Sequence, residues 1–277
     1  MKTGRIVSIV TLIILCIFAI IQIYPIIWVT LSSLKTSDEL ATAAAYSLPR
    51  AFYLGNYITA LELSTIPRAF LNSIIVASIT LSCQVLLSCP AAFAISKLRF
   101  RQSKKLLTFI LMGMMVPSFV CLIPMFHIYN TLGMRDTYFS IILPQLGFSM
   151  PLCIYMYTGY FTFLPNELLE ATVIDGSSTF QSFMHVAFPM SINTTVTIIT
   201  FQFIFVWNEF TYANTFLTSR LAKTLPVCLR DFAGEFGSVD WGPTFAAITM
   251  AILPTLIVYF ILNKSIIEGV AAGSVKS

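Results

Sequence analysis

Three carboxylates, Glu167, Glu170 and Asp175, fall in a polar island at 165–189 that holds no Lys or Arg and separates two long apolar runs. Glu167 and Glu170 are three apart, so a helix brings them to one face, while Leu169 and Val173, four apart, share another. The chemistry on offer is recognition. An acidic, helix-forming loop reads as a docking surface for another protein, and a loop merely solvated by water is the alternative. Short cytoplasmic loops of membrane proteins usually carry positive charge, which makes an acidic one a departure.

A further carboxylate, Glu209, stands in Trp207-Asn208-Glu209-Phe210 near the end of an apolar run. A charge in such a segment is costly and is a functional candidate by default. Trp207 suits an outer membrane interface, where the charge would only reach headgroup water, so both readings stand. Asn72, Gln84, Gln145, Asn193, Gln202 and Asn208 either line a polar path or hydrogen-bond between helices.

The elements that must position these groups are apolar helices. Of the 277 residues, 57% are hydrophobic and 10% charged, against roughly 25% charged in soluble domains, and mean hydropathy is +0.85. This composition predicts an integral membrane protein, and a net charge of +4 is too small and dispersed to suggest nucleic acid. Apolar runs at 7–31, 70–96, 106–129, 138–163, 187–216 and 243–263 each approach or exceed the roughly 20 residues that cross a bilayer as a helix. The expected fold is therefore all-α, a polytopic bundle of six spans forming one domain over 1–277. Lys2 and Arg5 precede the first run, and Lys97, Arg99, Arg101, Lys104 and Lys105 join the second to the third. Positive charge marks the cytoplasmic side, so both termini and the 164–189 loop are expected there. The first run exceeds the roughly 7–15-residue apolar core of a signal peptide and reads as a retained helix.

Catalytic motifs are missing. There is no GxxxxGKS or GxxxxGKT phosphate loop and no HExxH, and the histidines are His127 and His185. The chain is expected to have no catalytic residue, to hold no metal and to leave any ATP hydrolysis to another chain. Cys16, Cys83, Cys89, Cys121, Cys153 and Cys228 show no CxxC spacing and read as ordinary thiols of apolar segments. Pro25, Pro90, Pro117, Pro124, Pro144, Pro151 and Pro254 interrupt the runs and are the expected bending points.

Within the acidic island, Pro165 and Asn166 offer a helix start, with Asn166 capping free backbone donors and Glu167 placing negative charge near the positive helix end. Leu168 to Ile174 read as a short helix. Asp175 and Gly176 supply its stop, because glycine takes the left-handed conformation that ends helices. Ser178 and Gln181 have capping-box spacing for a second helix, which Pro189 is expected to close as the fifth run begins. A helix, a sharp turn and a helix should project from the membrane.

These residues resemble a family. Glu170-Ala171, Gly176, Val186, Phe188 and Pro189 follow the EAA-loop pattern of bacterial ABC importer permeases: EAA, three residues, G, nine residues, then I-x-L-P. Thr172, Val186 and Phe188 depart from it by small changes of size. Ile174-Asp175-Gly176 looks like the carbohydrate-uptake branch, Trp207 to Phe210 is similar to the WNDF or WNEF run of sugar permeases, and Ala271 to Lys276 resembles the tail of the maltose-system permease.

The resemblance, which covers essentially the whole chain, implies a transmembrane subunit of a bacterial type I ABC sugar importer, multi-pass in the cytoplasmic membrane. It would form half of the translocation path beside a second, related permease. Two cytoplasmic ATPases would hold ATP and Mg, and an extracellular or periplasmic solute-binding protein would deliver the substrate. Glu167, Glu170, Ala171, Asp175, Gly176 and Pro189 would belong to the coupling element, with Glu170 its polar anchor. Ala272, Gly273, Val275 and Lys276 would form a flexible tail reaching the ATPases, its helix propensity broken at Gly269 and Gly273. Asn72, Gln202, Asn208 and Glu209 are candidates for the translocation path. Tyr155, Tyr157 and Tyr160 either pack or stack on sugars. A stand-alone secondary transporter or channel for a small polar solute is the alternative, although the runs lack an ionisable relay and a clear inverted repeat. A structural scaffold is the third reading.

Overall fold

The computed structural model describes residues 2–63, 65–98, 100–232 and 239–274. In chain order, α1 (Lys2–Ser32), α2 (Ser37–Thr42), α3 (Gly55–Leu63) and α4 (Ile66–Lys97) lead to α5 (Ser103–Met112) and α6 (Leu122–Thr131), which flank two 3-10 turns. The chain continues through α7 (Phe139–Phe163), α8 (Asn166–Ile174), α9 (Thr179–Ser182), α10 (Phe188–Met190), α11 (Ile192–Trp207), α12 (Thr211–Phe216), α13 (Leu225–Cys228) and α14 (Trp241–Ser274).

Four stretches are unbroken, long and apolar enough to cross a bilayer: Val7–Ser32, Ile66–Lys97, Phe139–Phe163 and Trp241–Leu262. Two bent pairs join them, Ser103–Met115 with Ser118–Thr131 at 81°, and Thr179–Met190 with Ile192–Phe216 at 69°. Among the described residues the count is four, or six if each pair is one span, and every apolar run of the sequence falls on one of these stretches. Only one of the expected proline bends is a break. Pro117 has no N–H and disfavours helical backbone at Val116, which is extended at φ −80, ψ 115. Pro25, Pro90, Pro144, Pro151 and Pro254 lie inside continuous helices. Pro124 falls in the first turn of α6, where the missing donor costs nothing.

Residues 1–67 with 228–254 form one compact unit, and 68–227 with 255–277 another. In the first, the segment after α1 is tightly folded. Buried Asn56 donates from Nδ2 to the carbonyls of Ser33 at 2.8 Å and Lys35 at 2.7 Å. Thr36 caps α2, and Glu39 Oε1 accepts the Arg50 N–H at 2.8 Å. Gly242 approaches so closely that a Cβ there would lie 2.5 Å from Asn56 Oδ1, which leaves no room for a side chain. Trp28 meets Phe245 edge-on at 5.3 Å.

In the second unit, one core joins α4, α7 and α11. Phe93 packs edge-on against Phe161 at 5.7 Å, and Tyr157, fully buried, donates to Thr195 Oγ1 at 2.9 Å. Tyr157 is thus a packing residue, as is Tyr160, whose hydroxyl donates to the Met190 carbonyl, whereas Tyr155 is exposed. Ala92, Cys89 and Ala187 are small, so the helices approach closely. A second cluster gathers Val76, Ile141 and Ile142 around Phe216, with Tyr129 edge-on at 5.0 Å.

The C-terminal backbone differs from the flexible tail expected of it. α14 stays helical through Gly269, Ala272 and Gly273 to Ser274. Each glycine costs a helix about 1 kcal/mol relative to Ala, which propagation from a long established helix can absorb. Val275 and Lys276 lie outside the described residues, as does Arg99.

Candidate functional site

α8 is held at both ends by bonds that explain its sequence. Pro165 stands before it at φ −57, ψ 133, and no side chain caps it. Asn166 is therefore not the cap expected; its Oδ1 instead accepts Lys97 Nζ at 3.0 Å, and the same ammonium donates to the Leu164 carbonyl at 2.6 Å. Lys97 ends α4, so a cation at the terminus of one helix fixes the start of another that lies far along the chain. At the far end, Gly176 sits at φ +79. Its N–H donates to Val173 O at 3.0 Å, and the Ser177 N–H donates to Thr172 O at 2.9 Å. These are the paired bonds of a left-handed helix terminator. Among the described residues, chain neighbours aside, no atom lies within 4 Å of a Cβ placed on Gly176, so glycine is demanded by backbone conformation and not by space.

Thr172, which departs from the small residue of the EAA pattern, has a use. Its hydroxyl lies 2.6 Å from Ser182 Oγ and 2.7 Å from Leu169 O, which ties α8 to α9. Leu169 packs on the core that contains Phe93 and Phe183. The remainder faces out: Glu167, Glu170, Ala171, Asp175 and Gly176 are exposed, and so are Ile174 at 85% and Phe180 at 70%. Ile174 lies seven residues after Glu167 and four after Glu170, on their face. The sequence places Ile174 at the end of the short helix without a contact role and gives Phe180 none, although two large apolar groups in a polar loop are the available signal. A cleft of about 400 Å³ runs beside α8, with Lys97, Leu98, Glu170 and Ile174 in its wall.

The capping box is present, with Ser178 Oγ accepting from Gln181 N and Gln181 Oε1 accepting from Ser178 N. Pro189 does not end the second helix as expected. α9 passes through a π turn at Phe183–Ala187 into α10, and the interruption comes at Ser191. Pro189 lacks the N–H of a regular turn and its ring would crowd the carbonyl of His185. The wider turn, in which Phe188 N–H reaches Phe183 O, relieves both.

The four translocation candidates part company. Asn72, fully buried, donates to Leu221 O at 2.9 Å and Lys223 O at 2.8 Å and accepts the Tyr138 hydroxyl at 2.7 Å. Asn208 is exposed and bonds back to Ile204 O. Gln202 and Glu209 come together on a cavity of about 360 Å³, with Gln84, Gln145 and Ser149. Glu209 occupies the gap between α11 and α12, its Oε1 accepting Tyr212 N at 2.6 Å and Oε2 accepting Ala213 N at 3.0 Å.

One loop carboxylate has a role that the sequence does not mark. Asp136, at φ 59, accepts the N–H and hydroxyl of Thr218 and the N–H of Ser219. Partial burial pushes its carboxyl up, but the Ser219 and Thr218 donors and the Arg135 charge more than offset this and hold it below the usual value.

The sequence pattern of the binding-protein-dependent transport system inner membrane component family matches residues 84–269. The chain belongs to this family. It is a multi-pass permease of the ABC class, and a system of this kind pairs the membrane component with a solute-binding protein and an ATPase. A protein of Caldicellulosiruptor sp. (strain Rt8B.4) described as an ABC transporter permease is 33% identical over 262 residues, 95% of this chain and 94% of its own. The trehalose/maltose transport system permease of Thermococcus litoralis is 30% identical over 262 residues, 94% of each chain. Among solved structures, a chain of a bacterial ABC transporter involved in import of the acidic polysaccharide alginate superposes with a TM-score of 0.84, covering 95% of this chain and 98% of that one at 24% identity.

Proposed function

We propose that this permease serves a type I importer for sugars or oligosaccharides, pairs with a second, related permease, and crosses the membrane six times with both termini and the 164–189 loop in the cytoplasm. In this arrangement α8 is the coupling helix, seated in a groove of one of two ATPases that bind ATP and Mg. The observation that carries the proposal is the mounting of α8: a short, exposed helix clamped by Lys97 at its start, by the left-handed turn at Gly176 and by Thr172 to α9. A helix so fixed moves as a rigid lever, and ATPase closure can shift the spans it joins if each state makes different contacts. Glu170 then anchors it by charge, while Ile174 and Phe180 supply apolar contact. The tail, including Ala272, Gly273, Val275 and Lys276, reaches towards the ATPases. The sugar class rests on the likeness to the trehalose/maltose permease.

Membership of a binding-protein-dependent family argues against a carrier that works alone. The test is cross-linking from Ile174→Cys in a cysteine-free background of the assembled complex. An ATPase adduct whose yield changes when ATP is added is expected, together with sugar uptake into proteoliposomes that needs ATP. Uptake driven by an ion gradient, with no adduct, would refute the proposal.

A further inference from the structure

Three glutamines from three different helices meet Glu209 around the cavity of about 360 Å³ inside the 68–227 portion of the chain. That volume lies within the roughly 300–1,000 Å³ typical of small-molecule sites. Gln84 on α4, Gln145 on α7 and Gln202 on α11 are 1%, 7% and 3% exposed. Part of this polarity is internal, because Gln84 Nε2 donates to Ser149 Oγ at 2.6 Å and lies 3.5 Å from Gln202 Oε1. Pairing between helices leaves a remainder. Among the described residues, neither Gln84 Oε1 nor Gln145 Oε1 has a hydrogen-bond partner, and buried acceptors are normally satisfied. Two orphaned carbonyl oxygens on one cavity ask for donors from whatever fills it.

The rest of the lining narrows the occupant. Glu209 is held in place, since both its oxygens accept backbone N–H groups. Phe148 and Tyr212, their rings within 13° of parallel, both line the cavity and place aromatic groups beside the amides. No Lys or Arg is among the lining residues. Donor hydroxyls satisfy amide oxygens, aromatic faces suit the C–H face of a sugar ring, and a fixed carboxylate without a countercharge repels anions.

We propose that this cavity is a solute site on this subunit for an uncharged, hydroxyl-bearing sugar, and that Glu209 excludes anionic sugars from it. The proposal rests on the sugar-importer reading and deepens it. Hydroxyl groups of the sugar donate to Gln84 Oε1 and Gln145 Oε1.

The test uses the assembled transporter in nanodiscs with Phe205→Cys in a cysteine-free background, because Phe205 lines the cavity and is exposed. Thiol modification is timed with maltose, trehalose or lactose and with glucuronate or galacturonate. Protection of several fold by a neutral disaccharide and none by the uronates is expected. Gln145→Leu should abolish that protection, and Glu209→Gln should keep it while admitting glucuronate. Failure of every neutral sugar to protect, equal protection by glucuronate before the Glu209 change, or an unaltered Gln145→Leu response would overturn the site. ATP-dependent uptake measured on the same protein separates the two claims. Uptake without protection sinks the site alone, and protection without ATP-dependent uptake sinks the importer reading alone.

Discussion

Replacing Gly176 probes the mounting of α8 without touching anything that α8 would bind. The residue sits at φ +79, and among the described residues a Cβ there would meet nothing within 4 Å beyond its own chain neighbours. The cost of a side chain is therefore all backbone. Left-handed conformation costs an L-residue about 1–2 kcal/mol, less for Asn and more for a β-branched residue. The bonds at stake are Gly176 N–H to Val173 O and Ser177 N–H to Thr172 O. A loss of about 1–2 kcal/mol moves the local equilibrium towards an unfastened turn by roughly 5–30-fold. Gly176→Asn should thus behave almost as the parent, Gly176→Ala should lose part of its uptake, and Gly176→Val should lose most of it while the protein still inserts. Sugar uptake in proteoliposomes and hydrogen exchange at the amides of 176 and 177 read this directly. If Gly176→Val matched Gly176→Asn in both, the turn would not be what aims α8.

Asp136 gives a pH prediction. Its folded value lies below the ordinary 3.8, so the stability it contributes is present above that value and is lost as pH falls through the depressed one. Asp136→Asn should lower the melting temperature at neutral pH and flatten its decline in acid, and identical pH profiles for both proteins would refute the role. Gly242→Ala places a methyl 2.5 Å from Asn56 Oδ1 and disturbs the amide that holds Ser33 and Lys35; a loss of about 1–3 kcal/mol is expected, and an unchanged melting curve would contradict it. Topology is tested by impermeant thiol reagents on intact cells. Tyr46→Cys, at a site 82% exposed, should react and Ser178→Cys should not, whereas labelling of Ser178→Cys from outside would reverse the orientation.

The positions of the apolar stretches were legible because about 20 consecutive apolar residues have few other uses. Ser178 with Gln181, and Gly176, were legible because their roles are local, set within a few residues of chain. What stayed hidden depends on partners distant in sequence. Asn166 has the composition of a cap, yet Lys97, 69 residues away, takes its side chain. Asn72 looked like a path residue and is spent on the carbonyls of Leu221 and Lys223. Pro189 ought to end a helix, and a π turn one step earlier removes its penalty. The cavity around Gln84, Gln145 and Gln202 could not be read along the chain, because nothing in a single helix says which polar residues will face each other.

The central claim is that α8 docks on an ATPase through its acidic face, and co-purification of the ATPase with Glu170→Lys tests it most directly. Glu170 is exposed in this chain alone and lines the cleft beside α8, so docking would be what buries it. Reversing a desolvated charge costs on the order of 2–5 kcal/mol, against roughly 0–1 for one left in water. Glu170→Lys should therefore insert normally and lose associated ATPase by several tens of fold, with Glu167→Lys, nearer the helix start, much milder. Full ATPase association and full uptake with Glu170→Lys would show that α8 is not the coupling element.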